Sequence, residues 1–238
     1  MSTWKLLDTG ANTGAYNMAV DEELLARAQA GDAMPVLRFY TWDPPAVSIG
    51  RFQDRKSAVN AEACRHHGFE VVRRITGGRA VLHRRELTYS IVARSDQPLF
   101  PPSVLGTYRV IAAGLVAGLR TLGLSAEAVS REGRHASLVR KQAKGPACFS
   151  SPSWYEIVVH DRKIVGSAQR RVSGAFLQHG SILLDYDPGL EAEVIPGECA
   201  GDGVTCVKRE LGREVSTEEL KKGVLQGLTA ALGIVILS

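Results

Sequence analysis

The sequence predicts an α+β fold, in which helices pack on a mixed, mainly antiparallel sheet. Two observations indicate it: apolar, β-branched runs come in clusters with hairpin-length gaps, and helical periodicity falls between those clusters. The chain has 238 residues, 45% hydrophobic and 23% charged, which suits a globular protein with one large core. Because we find no repeat, low-complexity tract or linker, we expect residues 1–238 to form a single domain.

The first half of the chain is predicted to open with a helix and continue in strands. NMAVDEELLARAQAG has apolar residues at helical spacing, with Asn17 as the N-cap and Gly31 at the end. PVLRFYTW (35–42) and AVSIG (46–50) are predicted strands on either side of an Asp-Pro-Pro turn. SAVNAEACRHHG indicates one short helix, and FEVVRR, AVLH and ELTYSIVA indicate further strands.

The second half begins with a longer helix. Ser103 caps it after two prolines, and Leu115 and Leu119 lie on its apolar stripe. Residues 130–147 are predicted to form a polar, basic loop. WYEIVVH and KIVGSAQ then predict a hairpin around Asp161-Arg162, and AFLQHGSILLDY predicts another strand.

The chain is predicted to end in a helix after a Gly- and acid-rich connection, residues 186–205. Ser216 and Glu219 have the spacing of a capping box. Leu220 and Val224 begin its apolar stripe.

Composition excludes several classes of function. The formal net charge of +4 is too small to indicate a nucleic-acid partner, although it suits an acidic protein. No run approaches the ~18 apolar residues that span a bilayer, and the N-terminus has no signal-peptide pattern, so we expect no membrane partner. The four cysteines include no C-x-x-C pair, which favours a reducing cytoplasm.

We expect no metal and no cofactor. Cys64, His66 and His67 are close in sequence, but adjacent residues on a helix point apart, which disfavours a shared ion. Cys199 and Cys206 have no partner at metal-ligand spacing. Neither G-x-G-x-x-G before a helix nor G-x-x-x-x-G-K-[ST] occurs, which disfavours a dinucleotide fold and a P-loop.

The stretch RRITGGRAVLHRRELTYS (73–90) is the densest in chemistry. Gly77-Gly78 between two strands permits positive φ and lets a ligand or another backbone approach closely. Arg73 and His83 lie on either side. This pattern suits a site for an acyl thioester, its carbonyl or a phosphate, and equally a tight hairpin with solvated arginines.

ACFSSPSWYEIVVHDRKIVGSAQ (147–169) poses a second question. Cys148 lies in a Gly/Pro/Ser-rich loop, and Lys163 follows on the next hairpin. A cation near a cysteine raises the thiolate fraction and makes the thiol a nucleophile. Residue chemistry alone equally allows a surface thiol and a solvated lysine at the hairpin tip.

Four motifs in this order, MAVDEELL, RRITGGRAVLHRRELTYS, PSWYEIVVHDRKIVGSAQRR and LQHGSILLDYD, resemble the lipoate–protein ligase/octanoyltransferase family, whose catalytic domain is related to that of biotin–protein ligase. The resemblance covers about residues 4–232. ATP-using ligases of this family usually have Gly-Gly-Gly at the turn and Asn-Asp before the lysine hairpin. This chain has Gly-Gly-Arg and ACFSSPSWYE there, which resembles the cysteine-dependent octanoyltransferase branch.

The resemblance implies that Cys148 carries the acyl group and that Lys163 lowers the pKa of its thiol. It implies a substrate site formed by Arg73, Gly77, Gly78 and His83, with Gly180 and Ser181 of the QHGS motif. It also implies acyl carrier protein as the octanoyl donor. The acceptor would be a lysine of a lipoyl domain, in glycine cleavage H protein or a 2-oxoacid dehydrogenase E2.

Three alternatives remain open at this point. They are a lipoyl amidotransferase that moves the acyl group between lipoyl domains, an ATP-dependent ligase, and a non-catalytic acyl-binding protein. The basic loop before Cys148 (130–147) is either a solvated loop or a docking surface for the acidic carrier protein.

Overall fold

The computed structural model describes residues 2–32, 34–129, 155–197 and 201–237. In these ranges no helix combines the length and the apolar character that crossing a bilayer requires. Cys148, Cys199 and the basic loop at 130–147 lie outside the described residues.

Strands and helices alternate in clusters, as the sequence predicts. The strands are β1 (Ser2–Asn12), β2 (Val36–Trp42), β3 (Ala46–Ile49), β4 (Glu70–Arg73), β5 (Val81–His83), β6 (Glu86–Arg94), β7 (Ala126–Ala128), β8 (Ile157–Val159), β9 (Arg162–Val172), β10 (Ala175–Leu183) and β11 (Ile234–Leu237). The helices are α1 (Gly14–Ala30), α2 (Arg55–Ala58), α3 (Ala61–His66), α4 (Val104–Thr121), α5 (Pro188–Val194), α6 (Val207–Leu211) and α7 (Thr217–Leu232).

The described strands form two sheets. The larger has the order β11-β1-β2-β6-β10-β9-β8-β7, and the smaller has the order β4-β3-β5. Strand β1 runs parallel to β11 and β2, and the remaining neighbours in the larger sheet are antiparallel. In the smaller sheet β3 is parallel to β4 and antiparallel to β5. The predicted α+β fold with a mixed, mainly antiparallel sheet is confirmed.

The larger sheet is covered on both faces. Leu37 and Phe39 of β2 and Leu87 of β6 belong to the main core, together with apolar side chains of α4 and α7. Because side chains alternate along a strand, Arg38 and Tyr40 point to the opposite face, toward α1. The functional site forms on this second face.

The predicted first helix is correct in its end and wrong in its start. Gly31 ends α1 with φ at 115°, a conformation that glycine adopts without steric cost. The N-cap is Thr13, whose side chain accepts from the N–H of Tyr16, and Asn17 lies inside the helix. Asn17 is buried and its amide donates to the carbonyls of Asn12 and Thr41, so tertiary contacts rather than capping account for this asparagine.

Other boundaries also differ from the predictions. The single helix predicted at 57–68 is two, α2 and α3, because Asn60 starts α3 with a cap of its own. The hairpin turns at His160-Asp161, both at positive φ, so β9 already begins at Arg162. The connection 186–205 contains α5, capped by Asp187.

Candidate active site

A narrow cavity of about 30 Å³, partly open to solvent, lies between the two sheets and under α1. The larger sheet contributes residues of β2, β6, β10 and β9, in the order of those strands across the sheet. The smaller sheet covers this surface with Ser48, Val81 and His83, and α1 contributes Met18. Gly180 and Ser181, predicted from the QHGS motif, both line the cavity.

Strand alternation explains which side chains reach the cavity. Tyr40 and Trp42 are two residues apart on β2, and His179 and Ser181 are two apart on β10. Thr88 of β6 pairs with Ser181 in the antiparallel register. Since directly opposed residues point to the same face, these side chains form one continuous surface.

His83 is held in the smaller-sheet wall by stacking and by one hydrogen bond. Its ring lies 3.9 Å from the ring of Trp42, nearly parallel, and its Nε2 lies 2.8 Å from Oγ of Ser48. Ser48 accepts from the Arg74 guanidinium at 3.0 Å, so the serine proton is available to Nε2. The ring hydrogen is then on Nδ1, which faces a carboxylate oxygen of Glu86 at 3.7 Å, beyond normal hydrogen-bonding distance.

Glu86 organises the floor below His83. Its buried carboxylate accepts from the hydroxyls of Ser181 and Thr88, the latter at 2.8 Å. Thr88 in turn accepts from the Trp42 indole N–H at 2.9 Å. The tryptophan ring is therefore fixed by a hydrogen bond at its nitrogen and by stacking on its face.

A third network lies deeper, against α1. Asp21 accepts from the Arg38 guanidinium at 2.8 Å and from the Tyr40 hydroxyl at 3.0 Å. Nδ1 of His179 lies 2.9 Å from the same carboxylate, and its Nε2 lies 2.8 Å from the Thr76 hydroxyl. One buried chain of contacts thus connects α1, β2 and β10 to the turn that contains the two glycines.

This network shifts two pKa values in opposite directions. Burial alone would raise the pKa of Asp21, but hydrogen bonding and charge from His179 and Arg38 lower it below its usual value. Burial, with the Asp21 charge adding to it, raises the pKa of Tyr40 well above the ordinary value. Asp21 therefore holds a negative charge and Tyr40 stays a neutral donor.

The predicted glycine turn packs against the loop after β3. Gly78 has φ at 94°, and its carbonyl oxygen would lie 2.0 Å from a Cβ placed on Gly50. The two loops thus approach too closely for a side chain at position 50. Gly78 is required by its positive φ, and Gly50 by the lack of space for a Cβ. The Arg51 N–H donates to the Thr76 carbonyl at 2.9 Å.

Arg73 lies away from the cavity. It is exposed, and its guanidinium donates to the carbonyls of Gly50, Arg51 and Gln53 at 2.8–3.0 Å. The next residue, Arg74, is buried and lines the cavity. Arg73 ends β4 and Arg74 follows it, and the two side chains point in opposite directions: Arg73 contacts the loop and Arg74 reaches the cavity.

Lys163 is fully buried, so it is not a solvated lysine at the hairpin tip. Its Nζ donates to the Glu156 carboxylate at 2.6 Å. The carboxylate compensates the cost of removing the ammonium from water. Both side chains are nearly inaccessible, so this is a buried ion pair.

A β-bulge turns Lys163 to the side of the larger sheet on which the cavity lies, although Lys163 itself does not line the cavity. Gly166 and Ala168 of β9 line the cavity, and strict alternation would put Lys163, three residues before Gly166, on the opposite face. The register between β8 and β9 shifts at Ile157/Val158, and this returns Lys163 to the cavity face, opposite Val158. The flanking Ile157 and Val159 belong to the main core, whereas Val158 does not, which agrees with this assignment.

The two described cysteines are packing groups. Cys64 and Cys206 are both buried, each in a small apolar cluster. Burial raises the pKa of both thiols, which disfavours the thiolate that a nucleophile requires. Cys148 stays a prediction because it lies outside the described residues.

The structure thus brings His83, Gly180 and Ser181 around one cavity, from two facing sheets, and places Gly77-Gly78 in the adjoining turn. Arg73 and Lys163 do not line this cavity. It adds residues in or behind the cavity lining that the sequence did not predict: Asp21, Trp42, Ser48, Arg74, Glu86 and His179. Four of these were signalled, because Asp21, Arg74, Glu86 and His179 lie inside the quoted motifs. Trp42 and Ser48 lie outside the motifs and look like ordinary strand residues until the register is known.

His83 is expected to make the protein sensitive to mild acid. Burial lowers the pKa of its ring from the usual 6.5, although Glu86 partly opposes this. The unfolded chain therefore binds the proton more readily, and stability falls as pH drops below about 6.5. We expect His83→Gln to show a smaller loss of unfolding free energy between pH 7 and pH 5 than the wild type. Urea unfolding at each pH measures it, and His66→Gln, at an exposed position, is the control. Equal losses in wild type and His83→Gln would contradict this prediction.

Comparison with known proteins agrees with this geometry. The family model for the lipoyl protein ligase A/B catalytic domain matches residues 13–229, and the chain belongs to that family. Octanoyltransferase LipM of Kyrpidia tusciae is 46% identical, over 98% of this chain and 88% of its own. Octanoyltransferase LipM of Bacillus subtilis is 39% identical, over 98% of this chain and 87% of its own.

A solved structure shares the fold along the whole chain. It is protein Ta0514, a putative lipoate protein ligase from T. acidophilum with bound lipoic acid. Its TM-score is 0.78 and its identity 26%, and the match covers 100% of this chain and 88% of that one. With relatives named octanoyltransferase along nearly its full length, the chain is an enzyme, an acyltransferase, and the predicted octanoyl transfer in protein lipoylation is confirmed.

Proposed function

We propose that the chain takes an octanoyl group from acyl carrier protein and passes it to a lysine of a lipoyl domain through a thioester on Cys148. The proposed acceptor is the lipoyl domain of glycine cleavage H protein or of a 2-oxoacid dehydrogenase E2. The proposed substrate-binding set is Gly77, Gly78, His83, Gly180 and Ser181, and Arg73 supports it indirectly through the loop after β3.

The observation that carries this proposal is the bulge that turns Lys163 to the cavity face. Without the bulge, Lys163 would lie on the opposite face of the sheet. Burying its ammonium costs desolvation free energy, which is consistent with a functional role for its position. Along β9, Lys163 lies about 10 Å from the cavity-lining Gly166, at ~3.3 Å per residue. We assign Lys163 to the reacting end of the site, where its charge favours the Cys148 thiolate.

The chemistry then proceeds in two balanced steps. The Cys148 thiolate attacks the carbonyl carbon of the octanoyl thioester, the carbon–sulfur bond to the carrier breaks, and the carrier thiol leaves. The neutral amine of the acceptor lysine next attacks the enzyme thioester. A carbon–nitrogen bond forms, the bond to Cys148 breaks, and the amine proton returns to the thiolate or to water. We assign to Lys163 the stabilisation of the developing oxyanion in either step.

The reaction needs no nucleotide, since the donor thioester is already activated. We further propose a cytoplasmic location, because a reducing compartment keeps the nucleophilic thiol free. That the relative Ta0514 is solved with bound lipoic acid supports an acyl site in this fold.

Octanoyl–acyl carrier protein, incubated with the enzyme without ATP, is expected to give an octanoyl adduct detectable by intact mass. Cys148→Ala should abolish the adduct, and hydroxylamine should remove it from the wild type, because thioesters react with that amine. Cys206→Ala is the matched control, and we expect it to form the adduct, since burial makes that thiol a poor nucleophile.

Each alternative gives a different result. An adduct that forms only with an octanoylated lipoyl domain as donor would indicate the amidotransferase. Transfer that requires ATP and survives Cys148→Ala would indicate the ligase. No adduct and no transfer under any condition would leave an acyl-binding protein.

A further inference from the structure

The loop after β3 presents one aromatic side chain to solvent. Phe52 is 87% exposed, whereas the next most exposed large apolar side chain in the described part of the chain, Leu237, is 49% exposed. Single apolar residues on a surface are common and need no explanation by themselves. The meaning of Phe52 therefore depends on how its ring is held and on what surrounds it.

Phe52 lies at the tip of a rigid turn. The Gln53 N–H donates to the Gly50 carbonyl at 3.0 Å, and the Gln53 side-chain oxygen accepts from the Gly50 N–H at 2.9 Å. The Arg73 guanidinium holds the same turn from outside, through three of its carbonyls. Because the backbone is already fixed, a partner that covers the ring has little conformational entropy to remove.

The same turn is joined to the wall of the cavity. Ser48, two residues before Gly50, lines the cavity. The Arg51 N–H donates to the Thr76 carbonyl at 2.9 Å, and the Thr76 hydroxyl lies 2.8 Å from Nε2 of the cavity-lining His179. A protein bound to this turn is therefore beside the site into which an acyl chain has to pass.

Positive charge surrounds the ring. The turn, the start of α2 and the residue that holds the turn contribute four exposed cations: Arg51, Arg55, Lys56 and Arg73. In the part of the chain that the structure describes, no carboxylate pairs with any of the four within 4.0 Å. The single acid of the stretch, Asp54, caps α2. The Arg51 guanidinium lies 5.6 Å from the centroid of the Phe52 ring, within the range of a cation–π contact.

These residues form what we call the Phe52 surface, which consists of Arg51, Phe52, Arg55, Lys56 and Arg73. Four cations and one carboxylate leave a surplus of three positive charges there, against a net +4 for the whole chain. An exposed aromatic ring among cations is the composition that interface anchors favour, with the ring supplying short-range affinity and the charge supplying attraction at longer range.

We propose that the Phe52 surface docks the protein that donates the acyl group, an acidic acyl carrier protein. The inference rests on the proposed function and names the surface of this chain that recognises the donor. Unpaired cations attract an acidic protein and accelerate its association. The ring then loses its contact with water against an apolar spot of the carrier, which holds the carrier beside the cavity.

Phe52→Ala is expected to lower kcat/KM for adduct formation from octanoyl–acyl carrier protein by about 30-fold, the loss typical of a truncated anchor residue. Octanoyl pantetheine, a thioester without the carrier protein, should react at the wild-type rate. Because the ring contacts mainly water, the variant is expected to fold normally. Time courses followed by intact mass give both rates. Val235→Ala, at an exposed position on β11 at the far edge of the larger sheet, is the matched control.

Lys56→Glu tests the charge without touching the ring. It lies at the start of α2, where a carboxylate is favourable. We expect the rate with octanoyl–acyl carrier protein to fall by roughly three- to tenfold at low ionic strength, and the loss to shrink as salt is added. Lys222→Glu reverses an exposed lysine of α7, which packs on the opposite face of the larger sheet. The rate of this control should stay at the wild-type value at every salt concentration.

Three results would overturn the proposal. Equal losses with octanoyl pantetheine and with the carrier-bound donor would mean that Phe52 acts inside the site. Unchanged rates in both Phe52→Ala and Lys56→Glu would mean that the donor docks elsewhere. Normal adduct formation followed by slow transfer to a lipoyl domain would mean that this surface docks the acceptor.

Direct binding separates this inference from the proposed function. Association of acyl carrier protein with immobilised enzyme, followed by biolayer interferometry, requires no reaction. If the wild type forms no adduct, the proposed function fails, and weaker carrier binding by Phe52→Ala than by the wild type would still support the docking surface. Equal binding by the two proteins, or no binding by either, would overturn it.

Discussion

Lys163→Met is expected to lower the rate of octanoyl-adduct formation by about 100- to 1,000-fold, the range found when a preorganised electrostatic donor is removed. Methionine preserves most of the side-chain volume and removes the charge. The proposed mechanism predicts that the Cys148 thiol loses its activating cation in this variant, so its alkylation by iodoacetamide should need a higher pH. Stopped reactions analysed by intact mass give the rate, and the pH dependence of alkylation gives the thiol pKa.

The same substitution should also destabilise the protein, because it removes the ammonium that compensates the buried Glu156 carboxylate. Removing one partner of a buried pair costs about 3–5 kcal/mol. Stability and catalysis must therefore be separated. In the double variant Lys163→Met/Glu156→Gln a neutral amide replaces the buried carboxylate. We expect most of the stability to return while the rate of adduct formation stays low.

Lys208→Met is the surface control. Lys208 pairs with Asp185 and Glu214 at 3.2 and 2.8 Å, but it is substantially exposed, and such pairs contribute about 0–1 kcal/mol. The rate of adduct formation and the pKa of the Cys148 thiol in this variant should match those of the wild type. If the Lys163→Met/Glu156→Gln enzyme recovers the rate together with the stability, the lysine is purely structural.

The fold class was accessible from sequence because strand clusters and helix caps are local signals. The Ser216 cap illustrates this: it accepts from the Glu219 N–H at 3.1 Å, as the motif predicts. The return contact is absent because the Glu219 carboxylate pairs with Arg213 at 2.6 Å. Asn17 shows the opposite case, in which a good capping residue is recruited into a buried network by contacts that no local pattern encodes.

The site was only partly accessible, for a similar reason. Motifs identify candidate residues, but the face of the sheet to which a side chain points depends on the strand register. A single bulge reverses that face. Counting from Gly166 would have assigned Lys163 to the wrong face. The same effect explains why Arg74, and not the predicted Arg73, lines the cavity. The sequence does not distinguish two adjacent arginines, but their side chains point in opposite directions.

Asp21→Ala is expected to cause the largest loss of stability on the cavity face. Arg38 is completely buried, and without Asp21 its guanidinium would keep its bonds to Asn17 and Thr9 but lose its counter-charge. Leaving a buried charge uncompensated costs about 3–5 kcal/mol, measurable as a lower urea midpoint with an unchanged slope. The exposed pair of Arg27 and Asp32, at the same 2.8 Å, is the matched control, and Asp32→Ala should cost less than about 1 kcal/mol.

The pH dependence of this loss identifies its cause. Because the folded-state pKa of Asp21 is lowered from 3.8, its charge contributes stability that is fully present above about pH 4 and is lost as pH falls through the lower, folded value. Asp21→Asn keeps the shape without the charge, so the gap in unfolding free energy between it and the wild type should be constant from pH 7 to pH 5 and shrink below pH 4. A gap that stays constant at every pH would mean that Asp21 acts through packing, and the buried ion pair would then have no part in holding His179 and Thr76 at the site.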